Sequence, residues 1–314
     1  MPAVQIRPTP IEGRAAALRL VFQNLNNDVR KLQVEASLAA LDGIDPEAAG
    51  LFAAINGAAA ANREPIGAIW MQLMPGRVGS VWPPQTISLA PAAEAALTGK
   101  LFEAAKELAA RYRIRLLQAL LTTDAGPAAE SLQAAGFEHI ADLLYLVSSA
   151  QAFPTAAPAE SLEFERYVPE AAERFAAVIE RTYQGTLDCP QLDGVRTIDE
   201  VLEGYRSVGQ FSPDNWLLVR RDGRDIGCLL LADHPEQRIR ELVYMGIVPE
   251  ARGAGLGLTL ARQAQWLAKR AGAERLVLAV DAANTPALRM YSAAGFVAWD
   301  RRSVFTKVLR SAGA

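Results

Sequence analysis

The sequence predicts an α/β protein made of two copies of one fold, each a mixed, mostly antiparallel sheet flanked by helices. Three observations point there. The chain has 314 residues, about twice the ~150 that make one domain. Leu108–Phe137 aligns without a gap on Leu267–Phe296 with ten identities in thirty positions, including Pro127 with Pro286, Gly136 with Gly295, and AAGF at both ends. Along the second half, two-residue and 3.6-residue apolar periods follow one another as strands and helices would. A repeat spaced 159 positions apart is domain-sized, so it describes two similar domains and not a solenoid of short units.

The boundary falls at SSAQAFPTAAPAES (148–161), small-residue and Pro-containing with no periodic apolar face. The expected domains are 1–150 and 162–314, joined by a linker over 151–161. In the second, LEFERYV (162–168) reads as a strand and EAAERFAAVIERTY behind it as an amphipathic helix. A long irregular stretch, QGTLDCPQLDGVR, precedes the helical segment TIDEVLEGYRSVG. WLLVRR and IGCLLLADH around Asp222-Gly223 form a β-hairpin pattern. IRELVYMGIV is a further strand, followed by a glycine turn, the helix GLTLARQAQWLAKR, the strand RLVLAVD, the helix TPALRMYSAAG and a last strand near SVFTKVL. Consecutive antiparallel strands followed by a strand-helix-strand crossover make a mixed sheet.

Composition excludes several classes. With 51% hydrophobic and 21% charged residues the chain is neither disordered nor fibrous. A net charge of -3 offers no overall pull toward nucleic acid or anionic lipid, though a local anion site remains open. Two cysteines, Cys189 and Cys228, make neither a disulfide scaffold nor a zinc cluster, so no metal is expected and a reducing cytoplasm fits. The start MPAVQIRPTPIEGR lacks an apolar signal core, and no run reaches the ~18 apolar residues of a membrane helix. A cytoplasmic protein, monomer or homodimer, is the expectation.

The chemistry concentrates in Val248-Pro249-Glu250-Ala251-Arg252-Gly253-Ala254-Gly255-Leu256-Gly257, where a strand, a glycine turn and a helix start succeed one another. Free backbone N–H groups at a helix start, with the positive end of its dipole, suit a phosphate. A P-loop needs Gly-Lys-Ser or Gly-Lys-Thr and the dinucleotide fingerprint needs G-x-G-x-x-G; these glycines run G-x-G-x-G and fit neither. The alternative is a turn that only packs the helix close to the sheet.

The segment resembles the acyl-CoA pyrophosphate loop of the GNAT acetyltransferase superfamily, Arg or Gln, x, x, Gly, x, Gly or Ala, which Arg252, Gly255 and Gly257 satisfy. Asn284-Thr285-Pro286-Ala287-Leu288-Arg289-Met290-Tyr291-Ser292-Ala293-Ala294-Gly295-Phe296 is similar to the same superfamily's N-x-x-A-x-x-x-Y-x-x-x-G-F. The tandem arrangement resembles the mycothiol synthase family, without establishing that substrate. The resemblance implies tandem GNAT folds, with acetyl-CoA as donor and a small-molecule amine as acceptor. It places Arg252, Gly253, Ala254, Gly255, Leu256, Gly257 and Leu258 on the pyrophosphate, and Asn284 and Ala287 along the CoA arm. Tyr291 becomes the acid for the departing thiolate, the alternative being a core tyrosine.

Gly246, inside an otherwise β-branched and aromatic strand, suggests a bulge. In GNAT enzymes a splay there admits the pantetheine arm, and a backbone N–H from Ile247 or Val248 polarises the thioester carbonyl. Glu241 is the candidate base, unless it is a strand-end charge paired with Arg238 or Arg240. Tyr183 and Asp188, on the long stretch between the first two helices, are candidate acceptor contacts; Asp188 is equally an ordinary loop carboxylate. Cys189 as nucleophile needs a base, and neither His139 nor His234 stands in a recognisable relation to it.

At the 159 offset Arg252, Gly253, Gly255 and Gly257 fall on Ala93, Glu94, Ala96 and Thr98, Asn284 on Ala125, Tyr291 on Leu132 and Glu241 on Trp82. Every chemical group is gone, and Glu94 would repel a pyrophosphate. The first domain is expected to keep the fold without binding CoA, with Trp82 either core or cleft lining. The expectation is an N-acetyltransferase working by direct attack in a ternary complex; alternatives are a non-catalytic acyl-CoA sensor and a protein N-terminal acetyltransferase.

Overall fold

The computed structural model describes residues 4–57, 64–158 and 162–309. They form two compact units, one from the chain up to His139 together with the segment from Val304 onward, the other from Ile140–Ser303.

The first unit contains β1 (Val4–Pro8), α1 (Arg14–Val21), α2 (Asn27–Ala40), β2 (Leu51–Asn56), β3 (Gly67–Met74), β4 (Val78–Thr86), α3 (Pro91–Arg111), β5 (Leu116–Thr122) and α4 (Gly126–Ala134). β1 to β4 are antiparallel neighbours in chain order. β5 is parallel to β4, but only over Val78–Ser80 against Leu116–Gln118. The segment from Val304 completes this sheet beside β5, burying Phe305 with Leu132 and Phe137.

The second unit takes in β6 (Glu138–Ser149) from Ile140, then β7 (Glu163–Arg166), α5 (Ala172–Tyr183), α6 (Ile198–Arg206), β8 (Trp216–Arg221), β9 (Arg224–His234), β10 (Ile239–Ile247), α7 (Leu256–Arg270), β11 (Arg275–Asp281), α8 (Thr285–Ala293) and β12 (Val297–Val308) as far as Ser303. β7 to β10 are antiparallel in chain order, and β11 pairs with β6 along its whole length. Asp222 and Gly223 both have positive φ (52° and 73°), the signature of a type I′ hairpin turn joining β8 to β9. α5 and α6 cover one face, on Phe175, Ile179, Leu202 and Trp216; α7 and α8 cover the other, on Leu242, Leu260, Leu276 and Leu278.

The duplication is visible in the elements: β5 and β11, α4 and α8, and β6 and β12 each stand 159 residues apart at both ends. By that repeat β6 ends the first copy, yet from Ile140 it belongs to the second unit, and the end of β12 belongs to the first. The break expected at 151–161 therefore lies inside the second unit, with Phe153 buried and Ala150 N–H donating to Glu274 O at 2.9 Å; residues 159–161 lie outside the described residues.

The expected bulge is displaced. Gly246 sits in regular register opposite Cys228, and the shift falls between Leu242 and Tyr244. Gly246 is a glycine because α5 passes over it: a Cβ there would stand 2.5 Å from Thr182 Oγ1 and 2.6 Å from Thr182 Cβ. The extra residue is Val243, and it changes the strand's alternation. Leu242, Met245 and Ile247 pack toward α7 and α8, while Val243 and Tyr244 both pack toward α5 and α6.

Candidate functional site

β10 and β11 are joined in parallel only over Ile239–Glu241 against Arg275–Val277. Beyond Glu241 the β11-facing edge of β10 has no ladder partner among the described residues. Val248 N–H donates to Ile226 O on the opposite side at 3.0 Å, so Val248 is not available to a thioester carbonyl. By the two-residue alternation of an antiparallel ladder, the amides of Met245 and Ile247 point into the opening. Met245 was missed because a bulge placed at Gly246 misassigns the edge.

The glycine turn has the expected form. Gly253 and Gly255 have φ of 81° and 75°, a Cβ at either would meet only open space, and α7 starts at Leu256. From Gly253 through Ala254, Gly255, Leu256 and Gly257 to Leu258, the backbone N–H groups have no acceptor among the described residues. Gly257 lies against Met290 of α8.

Arg252 is engaged elsewhere. Its Nε donates to Ile247 O (3.0 Å), Nη1 to Gln184 O and Gly185 O (2.8 and 3.2 Å), and Nη2 to Thr182 O (2.8 Å). These carbonyls include the C-terminal end of α5, where a cation is favoured. Arg252 buckles α5 to the turn, leaving the backbone amides as the turn's free donors.

Asn284 caps α8, its side chain accepting from Ala287 N–H at 3.3 Å, so both residues are engaged with each other. Two turns on, Tyr291 is buried edge-on against Phe296 at 5.4 Å. Its hydroxyl has no hydrogen-bond partner among the described residues. Burial, then the nearby Asp188 charge, raises its pKa above the ordinary phenol value, so it stays protonated.

Asp188 Oδ1 accepts from Asp281 N–H (2.8 Å) while Asp281 Oδ2 accepts from Cys189 N–H (3.2 Å), a reciprocal latch between the 184–197 loop and the end of β11. Burial, and secondarily the Asp281 charge, raises the Asp188 pKa despite the Asp281 amide. Cys189 is pushed up to about 12 by burial and both carboxylates, so it is a thiol and not a nucleophile. Tyr183 and Asp188 line one cavity of about 520 Å³ with Val243, Tyr244, Tyr205 and Ala279.

Glu241 lies on the Val243 side of the sheet, and its Oε2 is 2.9 Å from His234 Nε2. Neither adjacent arginine pairs with it: Arg238 pairs with Glu274, and buried Arg240 with Asp233 (2.6 Å), Asn215 and Leu267 O. Tyr205 and Tyr244 carry no signal in the sequence, and His234 is considered there only as a base for Cys189, not as a partner of Glu241. His234 stands seven positions before Glu241, and only the antiparallel return of β9 onto β10 brings them together.

In the first unit the counterparts Ala93, Glu94, Ala96 and Thr98 lie inside α3, which starts at Pro91. Ala93 and Glu94 N–H donate to Ala90 O, so helix replaces the glycine turn and uses its amides internally. Leu132 is fully buried, and Trp82 packs on Phe22 at 4.8 Å beside the unit's core.

Among the described residues there is no cluster of His, Cys, Asp and Glu able to hold a metal ion, and no helix long and apolar enough to cross a membrane.

Residues 180–296 match the model of the Acetyltransferase (GNAT) family. A mycothiol acetyltransferase of Paenarthrobacter aurescens is 29% identical over 180 residues, 55% of this chain and 54% of that protein. The chain thus spans about half the length of this curated relative. A GCN5-related N-acetyltransferase from Sphaerobacter thermophilus superposes with a TM-score of 0.65 at 19% identity, over 98% of this chain and 96% of that one. A tandem GNAT protein from the clavulanic acid biosynthesis pathway gives 0.52 at 14% identity over 98% of both chains. At these identities the likeness is one of fold, and it extends over the tandem arrangement.

Proposed function

We propose that this chain, whose residues 180–296 carry a GNAT acetyltransferase domain, is an acetyl-CoA-dependent N-acetyltransferase acting on a primary amine. The observation that carries the reading is the opening of β10 from β11 beside the free amides of residues 253–258. The residues fit the donor: the amides suit a pyrophosphate, and Gly253 and Gly255 leave room for it. The Met245 and Ile247 edge receives the pantetheine arm and one of its amides the thioester oxygen; Asn284 shapes the start of α8.

Acetyl-CoA supplies an activated acyl group, which the neutral amine takes by direct attack in a ternary complex. Glu241, oriented by His234, accepts the ammonium proton. As the C–S bond breaks, Tyr291, kept protonated by burial, gives its proton to the departing sulfur, and the second proton shed by the nitrogen as the amide forms restores the phenol. The first unit is assigned no CoA, because helix α3 occupies the place of the turn.

The test is thiol release from acetyl-CoA across amines, aminoglycosides, amino-sugar thiols and peptides. Tyr291→Phe and Glu241→Gln are each expected to lower kcat by about 10²- to 10³-fold. CoA binding without turnover on any acceptor would leave a sensor, and preferential turnover of peptides a protein N-terminal acetyltransferase.

A further inference from the structure

The cavity beside the opening in the sheet has chemistry of its own. Val243 and Tyr244, both turned to this side by the bulge, form one wall with Ala279 of β11; Tyr205 of α6 stacks on Tyr244 at 5.3 Å, Tyr183 of α5 meets it edge-on at 5.5 Å, and Ile198 of α6 adds to the lining. At about 520 Å³ it has the size of a small-molecule site.

The tyrosine hydroxyls are largely committed. Tyr183 and Tyr205 bond each other at 2.8 Å. Thr182 donates to Ile179 O at 2.6 Å, which leaves Tyr244 to donate to Thr182 Oγ1 at 2.7 Å. The side of the cavity made by the tyrosines, Ile198, Val243 and Ala279 therefore presents carbon surface more than free donors, and the free polar groups belong to Glu180 and to the loop that follows α5. The charges around the cavity are Glu180, Asp188, Asp193 and Arg196, three acids to one base, and none forms an ion pair among the described residues. Asp188 is latched by Oδ1 alone, next to the buried Asp281 carboxylate, which also lacks a cationic partner there.

We propose that this cavity is the acceptor pocket and takes a primary amine with an apolar or aromatic body, drawn in as its ammonium by the acids around the cavity, Asp188 among them, and bound with its body against the Tyr183, Tyr205 and Tyr244 cluster. The inference rests on the acetyl-transfer reading and names its substrate class. An excess of acids over bases attracts an ammonium, and the carbon surface of the tyrosine cluster favours an apolar or aromatic body. A polyhydroxylated amine would lose water from the hydroxyls that lie against the tyrosine and aliphatic wall, where the carbon surface returns no hydrogen bond. The position suits transfer: Glu241 precedes Val243 by two residues on the same side of the strand, and Asp188 is near enough to Tyr291 to raise its phenol.

The experiment compares 2-phenylethylamine and n-hexylamine with glucosamine as acceptors, with 2-phenylethanol as the uncharged competitor. The two apolar amines should exceed glucosamine in kcat/KM by at least about tenfold, and the alcohol should bind at least about tenfold more weakly than phenylethylamine. Ile198→Trp and Leu192→Trp fill the cavity from α6 and from the loop. Either should raise KM for phenylethylamine about tenfold or more, with an unchanged acetyl-CoA Kd. Preference for glucosamine, or an unchanged KM in both variants with wild-type melting, overturns the proposal. If CoA binds but no amine is turned over, the transfer reading fails separately. Calorimetry then decides the pocket: phenylethylamine binding weakened by Ile198→Trp supports it, and absence of binding overturns it.

Discussion

Adding one methyl group at Gly246 tests how closely α5 lies on the strand that opens. In Gly246→Ala the new Cβ would stand 2.5 Å from Thr182 Oγ1, 2.6 Å from Thr182 Cβ and 2.9 Å from Thr182 Cγ2. A rotamer change gives no relief, because Thr182 Cβ is itself too close and Oγ1 is bonded to Ile179 O and Tyr244. The helix must move, a severe overpacking of about 3 kcal/mol, equivalent to a melting temperature lower by about 6–12 °C for a unit of this size. Thr182→Gly removes all three clashing atoms at about 0.4 kcal/mol of helix propensity and about 1 kcal/mol of hydrogen bonding. The double variant, freed of the clash, should therefore be more stable than the sum of the singles by about 3 kcal/mol. The assay is thermal and urea unfolding of the four proteins, followed by tryptophan fluorescence. A Gly246→Ala melting point within about 2 °C of wild type, or strict additivity with Thr182→Gly, would refute the reasoning.

Gly255→Glu should abolish CoA binding, since it sets a carboxylate at the free amides and strains a φ of 75°; Gly255→Asn, which tolerates that φ, separates the two effects, and calorimetry should find one CoA per wild-type chain. Asp188→Asn should stabilise the protein at neutral pH. A carboxyl whose folded pKa is raised costs stability when ionised, so the gain should shrink as the pH of the melts falls through that raised pKa and vanish below the unfolded value. The same variant should raise acceptor KM. A chain ending at Ser303 should lose hydrogen-exchange protection in β5 and α3 of the first unit, because Phe305 is buried there; selective loss in β8 and β9 instead would contradict the assignment.

Much of the candidate site was legible because its signals are local. The glycines at 253 and 255 are required by the turn's own dihedrals, Asn284 by the cap it makes, and Asp222-Gly223 by a two-residue hairpin. Arg252 carried a local signal whose use was not local: its four acceptors lie 5 to 70 residues away, at the end of α5 and on β10. Glu241 stood out as a strand carboxylate, but its partner was legible only after β9 and β10 were paired, which gave it His234 and sent Arg240 to Asp233.

By itself the sequence determined the repeat at 159, the strand and helix order of the second half, and the absence of the second copy's motif residues at the aligned positions of the first. Each follows from apolar periodicity or from residue identity at aligned positions. The tertiary structure alone decided that Ile140 onward and Val304 onward join units other than their own copies. It decided that the bulge is at Val243 and not Gly246, and that Tyr183, Tyr205 and Tyr244 share one cavity. The reason is physical: register, strand partnership and helix approach are set by long-range packing, and a one-residue shift turns every following side chain to the other face of the sheet.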